Sequence, residues 1–227
     1  MSLIYFKNVS KAYNGSLILD NITFEVGPGE FASIVGRSGV GKTTLFKMLI
    51  KEERPTKGRI FFNDKDINKF KLGETTFLRR KIGMVFQDFK LLDNRTAYEN
   101  VAFAMEVAGY SEQAIKKDAP ELLNLVNLKE KANNFPYQLS AGEKQRAVIA
   151  RVLAQRPELI LADEPTGNLD PINAWEIIKL LTKINELGTA IMLATHNKEV
   201  INTLGRRVIS LDGGKIIRDE KEGRYLI

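Results

Sequence analysis

The chain has 227 residues, 44% of them hydrophobic, enough for one sizeable domain with a buried core. It contains no cysteine, which excludes disulfides, thiol catalysis and cysteine-type zinc sites. The net charge is +6, but its 34 basic residues are scattered among 28 acids, the pattern of a mixed solvated surface rather than a nucleic-acid-binding stripe.

In chain order, residues 3–9 and 18–26 read as strands, with Ile22, Phe24 and Val26 alternating onto one face. Gly27-Pro28-Gly29 marks a turn, and 31–35 is a short apolar run of the buried-strand kind that ends at Gly36. A helical pattern follows from Lys42 to about Lys51, and 60–62 and 82–86 are again strand-like. Helical stretches at 97–107, 112–125 and 141–154 then dominate. Residues 159–162 and 190–194 read as buried strands around a helix at 171–187, and 208–211 and 215–217 close the chain around Gly213-Gly214. Strands alternating with helices imply an α/β fold with a mostly parallel sheet, and the helical middle reads as an inserted lobe. The expected division is a core of 1–87 and 157–227 with a lobe of 88–156. No apolar run reaches about 18 residues and no secretory signal is visible at the N-terminus, so the cytoplasm is the expected compartment.

Gly36-Arg37-Ser38-Gly39-Val40-Gly41-Lys42-Thr43 fits the pattern G-x-x-x-x-G-K-[ST] between a strand and a helix. Glycines let successive backbone N–H groups turn toward phosphate oxygens, and the helix that follows offers its positive end to the same anion. Lys42 brings a cation to the β- and γ-phosphates and so belongs to both the binding and the catalytic sets. Thr43 offers a hydroxyl to Mg²⁺, and Thr44 continues the nucleotide-binding set. An apolar strand carries Asp163 and Glu164 to its C-terminal end, where Asp163 suits Mg²⁺ through water and Glu164 suits a general base for an attacking water. His196, the only histidine, follows a buried strand at the same sheet edge and is expected to hydrogen-bond the γ-phosphate. Ser140 caps a helix beginning Ala141-Gly142-Glu143, a second anion site. One nucleotide rarely needs two helix N-termini from one chain, which points to a second subunit.

These motifs, in this order, resemble the ATP-binding subunits of ABC (ATP-binding cassette) transporters over nearly the whole chain. The resemblance implies an ATPase using Mg²⁺ with ATP. It implies a P-loop fold of the ABC type, with an N-terminal antiparallel β region. It also implies a homodimer that sandwiches ATP between the phosphate loop of one chain and Ser140, Ala141, Gly142 and Glu143 of the other. Tyr13 matches the family's adenine-stacking aromatic, Gln87 its glutamine that senses metal and water, and Asp170 its dimer-interface loop. The family's usual glycine and glutamine are replaced by Ala141 and Glu143. A carboxylate near polyphosphate implies weaker closure and slow turnover in the isolated protein. Residues 51–58 and 85–101 are similar to the cell-division branch of the family, which implies an integral membrane partner of the FtsX type, control of cell-wall hydrolysis, and a place at the inner face of the membrane. The alternative is the ATPase of a lipoprotein or macrolide exporter. A soluble nucleic-acid ATPase is disfavoured by the single cassette without a heptad tract, and a non-hydrolysing scaffold by the complete Glu164 and His196 pair.

Overall fold

The computed structural model describes residues 2–225. Strands β1 (Ile4–Tyr13) and β2 (Ser16–Val26) form an antiparallel hairpin. Its turn residues Asn14 and Gly15 have φ of 48° and 82°, as the twist of a two-residue hairpin requires. Strands β4 (Lys57–Phe62) and β5 (Lys65–Asp66) extend this sheet in the order β2-β1-β4-β5. Ile22, Phe24 and Val26 are all buried on one face, as their alternation predicts. Strand β1 runs four residues beyond the expected end because its register shifts between Phe6 and Val9, where Asn8 has φ 50°. That irregularity breaks the alternation and hides the continuation.

The second sheet has the order β10-β9-β3-β8-β7-β6. It comprises β3 (Phe31–Val35), β6 (Ile82–Val85), β7 (Leu159–Asp163), β8 (Ala190–Ala194), β9 (Arg207–Asp212) and β10 (Lys215–Glu220). Only β9–β10 pair antiparallel; the other pairs are parallel. Every residue of β3, β7 and β8 is buried, so both faces of the sheet are covered. Along β7, Leu159 and Leu161 join the core beneath the antiparallel sheet and helix α1 (Lys42–Leu49), while Ile160 and Ala162 join the core on the opposite face.

That opposite core is shared with the helical lobe, α3 (Ala97–Ala108), α4 (Glu112–Leu125) and α5 (Ala141–Leu153), and with α6 (Pro171–Glu186). The fully buried Asn100 ties the lobe to the loop entering it. Its Oδ1 accepts from Leu92 N at 2.8 Å, and its Nδ2 donates to the carbonyls of Leu92, Arg95 and Thr96. Two helices stand where no helix is expected, α2 (Leu72–Lys81) and α7 (Lys198–Leu204). The first buries only Leu78, and the second is seven residues long with Val200 and Ile201 buried. Neither carries enough apolar positions to produce a helical period.

Candidate active site

Strand β3 ends at Val35 and the chain curls through residues 36–41 into α1. Two glycines are sterically required. Gly36 has φ 157° and a Cβ there would stand 2.6 Å from the Leu211 carbonyl oxygen; at Gly41, φ 109°, it would stand 2.6 Å from Leu19 Cδ2. Gly41 is also the N-cap of α1, and no side chain caps that helix, so its first N–H groups remain open to an anion. Arg37, Ser38, Gly39 and Thr43 are exposed around this opening, and Val40 and Thr44 are half-buried. Lys42 is buried and donates to the Gly36 carbonyl at 2.8 Å and the Arg37 carbonyl at 3.3 Å, folding back over its own loop.

Strand β7 delivers Asp163 and Glu164. The Glu164 carboxylate is the meeting point of three elements: His196 Nδ1 lies 2.9 Å and Lys42 Nζ 3.7 Å from its Oε1. Glu164 has φ 47°, a left-handed conformation uncommon for a residue with a Cβ, and its N–H donates to the Ala194 carbonyl at 2.9 Å. That bond ties the acid to the end of β8, two residues before His196. Asp163 is buried, and its Oδ1 has no hydrogen-bond partner. Burial pushes its carboxyl up from the ordinary aspartate range; the Thr43 hydroxyl opposes this and the Glu164 charge adds to it. Strands β3, β8, β7 and β6 are consecutive neighbours. The phosphate loop, His196, the Asp163–Glu164 pair and Gln87 therefore line the C-terminal ends of four adjacent parallel strands, the edge where such sheets bind ligands.

Gln87 Nε2 donates to Asn168 Oδ1 at 3.2 Å, and Asn168 Nδ2 donates to the Gln87 carbonyl at 2.9 Å. Tyr13 lies beside the hairpin turn, 37% exposed, with Lys11 Nζ 4.5 Å from its ring centroid. The same hairpin meets the phosphate loop through Ile18 and Leu19, which pack against Gly41.

Ser140 caps α5: its hydroxyl accepts from Glu143 N at 3.3 Å while Glu143 Oε2 accepts from Ser140 N at 2.8 Å. The Glu143 carboxylate is thus turned onto its own helix end, and the Ser140 N–H bond holds it below the usual glutamate range. Ala141 is half-buried, whereas Gly142 is pressed against Asn173 of α6, where a Cβ would lie 2.3 Å from Asn173 Oδ1. Asn173 Nδ2 in turn donates to Asp170 Oδ2 at 2.6 Å, and Asp170 Oδ1 caps α6. Ser140–Glu143 and Asp170 therefore form one unit on the lobe side. Among the described hydrogen bonds and ion pairs none joins them to the phosphate loop of the same chain, whose glycines pack on Leu211 and Leu19.

Two residues of this arrangement escape the sequence reading. Asn173 stands three positions after the N-cap Asp170, a helix-start signal that says nothing of its contact with Gly142. Gln145 is fully buried and donates to the Phe86 carbonyl at 3.3 Å across 59 positions, a contact with no local signature.

Comparisons with known proteins agree with this geometry. The profile of the ABC transporter family matches residues 19–167. The cell division ATP-binding protein FtsE of Bacillus subtilis is 53% identical over 98% of each chain, and FtsE of Streptococcus pneumoniae strain D39 is 48% identical over 99% of this chain and 98% of its own. Among solved structures, the dimeric ATP-binding cassette MJ0796, bound to ADP and Pi, superposes with a TM-score of 0.87 at 37% identity, covering 98% of this chain and all of its own. The chain belongs to the ABC transporter family and is one of its ATP-hydrolysing subunits.

Proposed function

We propose that the chain is the ATPase subunit of a membrane-associated cell-division complex, which couples ATP-driven closure of a homodimer to an integral membrane partner of the FtsX type and so controls cell-wall hydrolysis. One observation carries the ATPase chemistry: Lys42 and His196 converge on Glu164 at the ends of three neighbouring strands. Glu164 takes a proton from the attacking water, His196 orients Glu164 through Nδ1 and hydrogen-bonds the γ-phosphate, and Lys42 leaves the Gly36 carbonyl for the β- and γ-phosphates. The unpartnered Asp163 Oδ1 and the neighbouring Thr43 hydroxyl suit a hard cation, so these residues fit Mg²⁺, which Thr43, Gln87 and, through water, Asp163 would hold. Bound with ATP, Mg²⁺ would neutralise phosphate charge. Tyr13 stacks on the adenine beside the phosphate loop. The separation of Ser140–Glu143 from that loop supports completion of the site by a second copy, across the Asp170 loop. Glu143 is engaged in its own capping box, which argues against the weaker closure and slow turnover expected of a free carboxylate at that position.

The cell-division reading rests on similarity to FtsE proteins over nearly the full length, residues 85–101 around Gln87 included. Among the described residues no helix is long and apolar enough to cross a membrane, so the reading requires a separate membrane subunit at the inner face. A groove of about 370 Å³, walled by Ile50, Arg79, Phe86, Phe103 and Arg151 between core (1–87, 157–227) and lobe (88–156) and reaching the chain neighbour of Gln87, suits that subunit. Affinity capture from solubilised membranes tests it. Recovery of an FtsX-type protein is expected; recovery of a substrate-exporting permease in its place would transfer the chain to the lipoprotein and macrolide exporters.

A further inference from the structure

The Asn168 carboxamide grips Gln87 twice. Its Oδ1 accepts from the Gln87 side chain and its Nδ2 donates to the Gln87 main-chain carbonyl. Gly167 forms the floor of this grip: a Cβ there would stand 2.9 Å from Gln87 Nε2 and 3.1 Å from Cδ. The segment that carries Asn168 is folded by its own turns, Gly167 N to Glu164 O at 3.1 Å and Leu169 N to Thr166 O at 3.1 Å. It begins at Glu164, which β8 holds through the Ala194 carbonyl, and ends at Asp170, which caps α6. On its other side the Gln87 loop is met by α5, through Gln145 and the Phe86 carbonyl. Gln87 is exposed, and nothing else among the described hydrogen bonds fixes its side chain.

We propose that Asn168 is a positioning residue: it fastens the Gln87 loop to the segment 164–170, so that the partner-facing glutamine and the loop beginning at the base Glu164 move as one body. This rests on the roles given above to Gln87 and Glu164. A neutral side-chain bond of this kind is worth about 1 kcal/mol, small for folding but enough to change the population of one Gln87 rotamer several-fold. Gly167 acts with Asn168 by leaving the space in which the Gln87 amide lies.

The test is a pair of double-mutant cycles on the full chain, in Asn168→Ala, Gly167→Ala, Gln87→Ala and the combinations of Gln87→Ala with each. Without nucleotide, hydrogen exchange of residues 86–90 should speed up in Asn168→Ala and Gly167→Ala alike, with no further gain when Gln87→Ala is added. With saturating Mg²⁺ and ATP, each single variant should lower kcat about fivefold, the rate equivalent of about 1 kcal/mol, and leave the KM for ATP within twofold. In the Gln87→Ala background the same changes should cost less than twofold. Asn168→Asp, which keeps the acceptor and loses the donor, should fall between wild type and Asn168→Ala. Gly167→Ala keeps Asn168 intact and so separates the grip from any effect of Asn168 on folding. Equal losses in both backgrounds, or unchanged exchange at 86–90, would overturn the proposal. A wild-type chain without turnover would instead defeat the functional reading, while the exchange cycle would still decide the grip.

Discussion

Asp163→Asn separates stability from catalysis at the C-terminal end of β7. The Asp163 carboxylate is buried, its Oδ1 is unpartnered, and its environment favours the protonated form. A charged group held this way costs the empty protein stability, and an unsatisfied buried oxygen accounts for about 1–3 kcal/mol. The neutral amide keeps an acceptor for the Thr43 hydroxyl and removes the charge. For a chain of this length each kcal/mol moves the melting point by about 2–4 °C. Asp163→Asn should therefore melt higher than wild type at pH 7 without metal or nucleotide. Because the folded carboxyl titrates above its unfolded value of about 3.9, the penalty is absent below that pH and grows as pH rises through the folded value. The gap between variant and wild type should accordingly be wider at pH 7 and close toward pH 4. With Mg²⁺ and ATP the order should reverse, because only the carboxylate serves the ion. Scanning calorimetry at the two pH values, with and without Mg²⁺-ATP, measures all of this. An Asn variant that melts at or below wild type at pH 7 in the empty state would refute the reasoning.

Glu164→Gln should retain ATP, accumulate a dimer in sedimentation, and lose turnover by about 10²–10⁴-fold, the usual worth of a general base; normal hydrolysis would remove Glu164 from that role. Lys42→Ala should lose most ATP affinity in equilibrium titration; unchanged affinity would undermine the reading of the phosphate loop itself. Asn100→Leu should cost about 1–3 kcal/mol in chemical denaturation, because Leu92 N and three carbonyls lose a buried partner; an unchanged midpoint would show that the 92–96 loop does not depend on it.

The parts of the site legible in the sequence are those built from consecutive residues. The phosphate loop is a local object whose glycines, lysine and threonine need fixed spacing, and Asp163 and Glu164 are announced by the apolar strand that delivers them. His196 stands out only because a buried strand runs straight into it. The strands β8 and β7 are legible for the same reason, being short apolar runs buried on both faces. Contacts made across the fold are not legible. Gln145 reaches Phe86, Asn173 fills the space above Gly142, and Asn168 grips Gln87 across 81 positions. Helices α2 and α7 are missed because one lies on the surface and the other is two turns long. Glu143, three residues after Ser140, completes a capping box, a local role that the sequence reading does not name.

In the proposed function one chain holds half of a catalytic site, and Ser140–Glu143 of a second copy completes it. Turnover per chain, measured across protein concentration at saturating Mg²⁺ and ATP, tests this most directly. Specific activity should rise in proportion to concentration while the protein is mostly monomeric and level off as dimers fill. Specific activity that stays constant through the monomeric range would contradict it.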